Sequence, residues 1–301
     1  MTAVLLLFGA LIVIYFFLRH RARHQRHEIS NKKILVVGGS SGLGLAFAQI
    51  LKEAGNNVTI TSRSVQSLEL LRSKWGFETK VLDVNTMDSQ KSADFDYIFC
   101  CAGISHPSYF ADQSFELFKE TMNTNYLGTV AVLKHYTAIN KKPMRFIMIG
   151  STLSLLTFPG FSSYSPSKAA LLSLFYTLRD EMKELGVELY FYNTASIQTP
   201  GFEMENKTKP AYTKAIEGMI SPSSARERAF SFLSGMKRRS VVASDAFTYL
   251  CQIRFECECL IDYLLFPVAV VAVFMSRIYV RWRFKAEKKM RGKEDVYIKH
   301  K

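Results

Sequence analysis

The sequence lacks the material for a disulfide framework or a cysteine metal site. Its five cysteines, Cys100, Cys101, Cys251, Cys257 and Cys259, are odd in number and form no Cys-x-x-Cys pair, which predicts reduced thiols and no bound metal. Acidic residues are also few, 26 against 39 lysines and arginines, for a net charge of +13. Such an excess suits nucleic acid only if it covers a folded face, and residues 34–276 together carry just +1. The basic residues instead flank two apolar stretches near the chain ends, which is how a membrane protein marks its cytoplasmic side. Nucleic acid is therefore not an expected partner, and a membrane is. There is no internal repeat and no low-complexity tract.

The first apolar stretch, residues 2–18, carries no charge and is followed by a run of Arg and His. A cleaved signal would have its basic residues before the apolar run and a small-x-small site after it, and neither is present. Residues 1–18 are thus expected to be an uncleaved anchor and 19–32 a basic linker. The second stretch, 260–280, has Asp262 and Arg277 near its edges and Pro267 inside. With basic charge after Leu18 and again after Val280, residues 260–280 of the membrane-associated segment 246–280 are expected to enter and leave by one face. A re-entrant or in-plane segment followed by a basic cytosolic tail, 281–301, is the expectation, with a second span as the alternative.

Between these ends, strand patterns alternate with helical ones. A β-branched run at 33–37 leads into Gly38, Gly39, Ser40, Ser41, Gly42, Leu43 and Gly44 and then into a helical pattern. Strand, glycine turn and helix let backbone approach a pyrophosphate and offer it a helix N-terminus. The second strand, 58–62, ends at Arg63. A fold that prefers NAD usually has an acid there, whereas an arginine can hold a 2′-phosphate. A third strand, 79–84, brings Asp83 and Val84 toward the adenine. The fourth, 97–101, precedes Ala102 and Gly103. A long amphipathic helix through Phe115, Phe118, Met122, Tyr126 and Val130 carries Asn125 among its apolar positions. A fifth strand, 145–150, delivers Ser151, and a sixth runs over 187–192. The alternation predicts an α/β fold with one doubly wound parallel sheet in a single domain, 33–245. Residues 197–220 read as irregular or weakly helical, followed by a helix at 223–236 and a short strand at 241–242.

The chemistry concentrates between Ser151 and Lys168. Tyr164 and Lys168 head an apolar-periodic run and, on a helix, lie one turn apart on one face. A nearby ammonium favours the phenolate and turns a phenol into a usable acid or base. Ser151 could hydrogen-bond the same reacting oxygen.

As a set, Gly38-x-x-x-Gly42-x-Gly44, Ala102-Gly103, Asn125, Ser151 and Tyr164-x-x-x-Lys168 resemble the short-chain dehydrogenase/reductase family. The resemblance implies a Rossmann-type fold, NADPH as cofactor, and Asn125, Ser151, Tyr164 and Lys168 as the catalytic group. Asn125 would then hold a water on the proton path, and Lys168 would contact the ribose. Ile197 and Thr199 match the nicotinamide-facing loop. Val37 and Cys100 depart from the family pattern, with consequences for stability more than for chemistry, and Thr194-Ala195 stands where the family usually has Pro-Gly, with the frame recovered at Ile197. The segment Thr199-Pro200-Gly201-Phe202-Glu203, followed by Glu205 to Pro210, resembles the branch that reduces 3-keto long-chain bases. That implies a long-chain lipid substrate and an endoplasmic reticulum membrane location with the active site facing the cytosol. Homo-oligomerisation stays open. A membrane 3-ketoacyl-CoA or hydroxysteroid reductase would keep the same four residues, and a catalytically silent NADP-binding membrane protein is the alternative of another class.

Overall fold

The computed structural model describes residues 29–87, 94–218 and 221–290. The expected N-terminal anchor, most of the basic linker and the last part of the basic tail lie outside these residues. Seven parallel strands form the central sheet: β1 (Lys33–Val37), β2 (Asn57–Ser62), β3 (Glu78–Val81), β4 (Tyr97–Cys100), β5 (Met144–Ile149), β6 (Val187–Asn193) and β9 (Val241–Ala243). Their order across the sheet is β3-β2-β1-β4-β5-β6-β9, so the winding reverses between β1 and β4. Ligands bind outside the carboxyl ends of strands at such a switch point. A second, two-stranded sheet pairs β7 (Ile197–Gln198) with β8 (Ser223–Ser224).

Strand side chains alternate between two cores. Ile34, Val36, Phe99 and Ile147 pack with Phe47 and Leu51 of α1 (Gly42–Glu53), Leu68 and Leu71 of α2 (Val65–Trp75), and Phe232 of α8 (Ala225–Gly235). Leu35, Val37, Ile98 and Phe146 pack with Val132 and Tyr136 of α4 (Gly128–Ile139) and with Leu171 and Phe175 of α5 (Tyr164–Glu184). Both faces of the sheet are covered, which is why its strands read as nearly continuous apolar runs.

Several elements differ from the sequence expectation. Strand β3 ends at Val81, three residues early, because its neighbour β2 ends at Ser62 and offers nothing further to pair with. Asp83 and Val84 lie in the turn beyond it, where the Asp83 carboxylate accepts from Asn85 N at 2.9 Å. The single long helix is two, α3 (Phe115–Met122) and α4, joined by one π-helical turn, Asn123–Leu127. Such a bulge inserts one residue into the ladder and often re-aims a functional side chain. Residues 200–217, read as irregular or weakly helical, form two regular helices, α6 (Pro200–Thr208) and α7 (Ala211–Glu217). Thr199 caps α6, accepting from Phe202 N at 3.1 Å, with Pro200 in the first turn.

The C-terminal part is joined to the domain. Helix α9 (Ala246–Ile253) is capped by Asp245 and buries Tyr249, Cys251 and Ile253. Helix α10 (Leu260–Met290) runs unbroken through Pro267 for 31 residues, about 46 Å at the usual rise. It is therefore not a re-entrant hairpin. Leu265, Ala269 and Val273 form a stripe at helical spacing buried against the domain. The other faces present Leu264, Val271, Phe274, Met275 and Trp282, each about half exposed or more. Within it, Leu260–Ala286 is long and apolar enough to cross a membrane.

A polar latch fixes the start of α10. Asp262, fully buried, accepts from the Arg239 guanidinium at 2.7 and 2.9 Å, from Tyr249, and from the backbone N–H groups of Glu258 and Cys259 at 2.9 and 3.3 Å. The last of these satisfies a donor at the helix start, as an acidic residue in the first turn commonly does. All five cysteines are free.

Candidate active site

A cavity of about 950 Å³ opens at the carboxyl ends of β1, β4 and β5. It is lined by Gly38, Ser40, Ser41, Gly42, Leu43, Gly44, Arg63, Asp83, Val84, Ala102, Gly103, Ser151, Tyr164, Lys168, Ile197 and Thr199. Every site residue expected from the sequence except Asn125 thus faces one space. Asn125 is fully buried behind it.

At one end the backbone makes an anion cradle. Gly38 and Gly42 have φ of 75° and 53°, which favour glycine. A Cβ at Gly38 would stand 2.8 Å from Ala102 N, and one at Gly44 would stand 2.2 Å from Gly38 O. The turn and helix α1 are packed too closely for any side chain. Ser41, the N-cap of α1, makes no side-chain cap bond, so the N–H groups of the first turn point at the cavity for an anionic ligand. The Ser40 and Ser62 hydroxyls bond at 3.0 Å, tying the glycine turn to β2. Arg63 is exposed at the cavity edge.

The reacting group is built by α5 and the turn after β5. Ser151 is an N-cap whose Oγ accepts from Leu153 N at 3.1 Å, and it lies near enough to Tyr164 to favour the ionised form of its hydroxyl. Burial raises the Tyr164 pKa well above that of a free phenol; the Glu205 carboxylate adds to this and Ser151 opposes it. Tyr164 is therefore a protonated donor at neutral pH. Lys168 Nζ donates to Ile149 O at 2.8 Å and lies 5.7 Å from the Tyr164 ring centre. Burial lowers its pKa to about 8. Lys168, expected to lower the Tyr164 pKa, is committed to a carbonyl here, and Ser151 is the group that favours the phenolate.

Asn125 is aimed inward by the π turn, whose carbonyl at Asn125 accepts from Thr129 Oγ1 at 3.0 Å. Its side chain accepts from Ile104 N at 2.8 Å and donates to Ile104 O and Ser167 Oγ, both at 3.0 Å. It fastens the loop after β4 to the catalytic helix. A Cβ at Gly103 would lie 3.2 Å from Asn125 Oδ1 and 3.6 Å from Lys168 Nζ, which accounts for the glycine there. Cys100 reaches the same unit through its contact with Thr129 Oγ1 at 3.6 Å.

Of the rest of the wall, the sequence reading reached only the 199–210 segment, by resemblance. Phe158, Phe161, Phe202 and Met204 make it apolar, Glu205 and Glu217 bring carboxylates, and α10 contributes Met275, Ser276, Tyr279 and Val280. The tail read as a separate membrane segment is thus part of the cavity. The only available signal was the helical spacing of Leu265, Ala269 and Val273, which is hidden in a stretch that is apolar all round.

A parallel sheet with this switch point, a glycine cradle and a buried Ser-Tyr-Lys set defines a dinucleotide-dependent oxidoreductase. The family model for short chain dehydrogenases matches residues 32–210, more than half of the chain, and the chain belongs to that family. It is an oxidoreductase that works with a nicotinamide cofactor. It is 29% identical over 285 residues to a 3-ketodihydrosphingosine reductase of Dictyostelium discoideum, covering 83% of this chain and 85% of the relative. It is 35% identical over 231 residues to a PIGF/3-ketodihydrosphingosine reductase fusion protein of Schizosaccharomyces pombe, covering 70% of this chain but only 47% of the fusion. Among solved structures, a short chain dehydrogenase/reductase from Burkholderia phymatum in complex with NAD superposes with a TM-score of 0.62 at 17% identity, over 77% of this chain and 95% of that one. That likeness is one of fold.

Proposed function

We propose that this protein reduces 3-ketodihydrosphingosine to dihydrosphingosine with NADPH, at a membrane from which it takes its substrate. The observation that carries the reading is the cavity itself, in which the Ser151, Tyr164 and Lys168 group shares one space with an apolar wall made partly by α10. The relatives named as 3-ketodihydrosphingosine reductases support it.

The residues present fit the cofactor. The Gly38 to Gly44 turn and the uncapped start of α1 would hold the pyrophosphate, Asp83 and Val84 would border the adenine, and Ala102 and Gly103 would let backbone approach the ribose. Arg63, with no acid beside it at the end of β2, would hold a 2′-phosphate, and Ile197 and Thr199 would border the nicotinamide. Bound there, the cofactor supplies a hydride to the carbonyl carbon of the substrate. Tyr164 gives its proton to the carbonyl oxygen as that oxygen gains charge, and Ser151 holds the same oxygen by hydrogen bond. Lys168 would contact the ribose and return a proton to Tyr164. Asn125 keeps Ile104 and Ser167 in place, and the family role of holding a water on the proton path is assigned to it.

A sphingoid chain of ~15 methylenes partitions into a bilayer by on the order of 12 kcal/mol, so the substrate stays in the lipid. Helix α10 supports an in-plane seat at that surface, with one stripe on the domain and the opposite face apolar and exposed. We assign the surface to the cytosolic face of the endoplasmic reticulum. The test is NADPH oxidation by membranes of expressing cells, with 3-ketodihydrosphingosine compared with a 3-ketoacyl-CoA. Faster turnover of the amino ketone is expected, and equal turnover of the acyl-CoA would overturn the reading.

A further inference from the structure

Two largely buried carboxylates of the cavity wall share one fully buried ammonium behind them. Lys209, its side chain 1% exposed, lies 2.5 Å from Glu217 and 3.8 Å from Glu205. Its ammonium is also held 4.5 Å from the Phe202 ring centre and 5.7 Å from that of Phe161. The short contact commits the lysine to Glu217. Glu205 keeps the longer one, so the triad holds one carboxylate more than it has ammonium groups, and both carboxylates face the cavity.

That arrangement is costly in the resting protein, since a largely buried carboxylate whose nearest ammonium stands 3.8 Å away loses hydration it does not fully regain. Burial accordingly pushes the Glu205 pKa up to about 7, with Lys209 opposing and Glu217 adding to the shift. The same carboxylate is close enough to Tyr164 to raise the pKa of its hydroxyl. A cation arriving between Glu205 and the reacting oxygen would match the spare charge and remove that hindrance to proton donation.

The proposed substrate has such a cation. Its amino group is on the carbon next to the ketone, so wherever the ketone meets Tyr164 the ammonium must lie a few ångströms away. We infer that Glu205 is the specificity-determining residue of this site, binding the alkylammonium beside the ketone and so selecting amino ketones over 3-ketoacyl thioesters and steroids. The inference rests on the proposed function above, since it takes the substrate from that reading.

The experiment compares kcat/KM of the full chain in membranes for 3-ketodihydrosphingosine and for its 2-deamino analogue, a hydroxy ketone of the same length. The wild type should prefer the amino ketone by ~10- to 100-fold, the range for a hydrogen bond to a charged group. Glu205→Gln should bring the ratio of the two close to one, and Glu205→Asp should restore part of it. A wild type with no preference between the two ketones, or a Glu205→Gln protein that loses both activities by the same factor while still binding NADPH, would overturn the inference. The wild-type comparison needs no variant to fold. If the wild type reduces neither ketone but does reduce a 3-ketoacyl-CoA, the failure lies with the proposed function. If it reduces both ketones equally, that function stands and only the role of Glu205 falls.

Discussion

Tyr164 is protonated at neutral pH, as the donor in ketone reduction must be. Tyr164→Phe should keep the fold and NADPH binding and lose turnover by at least the ~10² to 10⁴ that a positioned acid supplies; retained reduction would remove the tyrosine from the mechanism. Arg63→Ala should raise the KM for NADPH far more than that for NADH, a loss shared by ground and transition states. A wild type that already prefers NADH would reduce Arg63 to a surface charge. Lys168 yields a pH dependence whose sign is fixed by its lowered pKa of about 8. Between about 8 and the unfolded value near ~10.5 the unfolded chain binds more protons, so stability rises with pH in that window. Without cofactor, the wild type should therefore gain on the order of 3 kcal/mol over Lys168→Met as pH rises through it, read from paired denaturant titrations. The Ser151, Tyr164 and Lys168 set could be read from the sequence because chemistry fixes its spacing. Glu205 could not, since a glutamate in a polar stretch looks solvated until α6 and α7 bury it.

At the scale of elements, the strand, turn and helix order from residue 33 to 193 could be read because strand and helix periods differ and glycines punctuate them. The π turn at Asn123–Leu127 could not, since one inserted residue barely disturbs the apolar pattern of a 25-residue helix. Of the shapes expected for α10, the unbroken helix excludes the re-entrant one. Pro267, read as a sign of a re-entrant or in-plane segment, forgoes one backbone bond, to the carbonyl four residues earlier, and the helix continues through it with Leu265 and Ala269 packed on either side. The Arg239 latch is what docks this helix. Arg239→Ala would leave the Asp262 carboxylate buried and unmatched, which should cost roughly 3–5 kcal/mol. The check is thermal unfolding in one detergent, and an unchanged midpoint would show the latch to be dispensable.

At the scale of the whole molecule, the charge at both ends predicts a catalytic domain and tail on one side of the membrane. Asn206-Lys207-Thr208 on α6 is a glycan acceptor sequence and so a built-in reporter. No glycan is expected at Asn206, and none at an acceptor engineered after Lys293. Sugar on the tail alone would establish a second span through α10, whereas sugar at Asn206 would invert the topology.

Helix α10 presents one side to the cavity and the other to its surroundings, and this has a kinetic consequence. If its outer face rests in lipid, the ligand concentration that matters is two-dimensional. Rate should then follow the mole fraction of ketone within the lipid phase, and adding inert phospholipid at constant total substrate should slow turnover by surface dilution. Detergent monomers settling on Phe274 and Met275 would crowd the mouth of the cavity and act as competitive inhibitors, so apparent affinity should depend on the choice of detergent even when the fold does not.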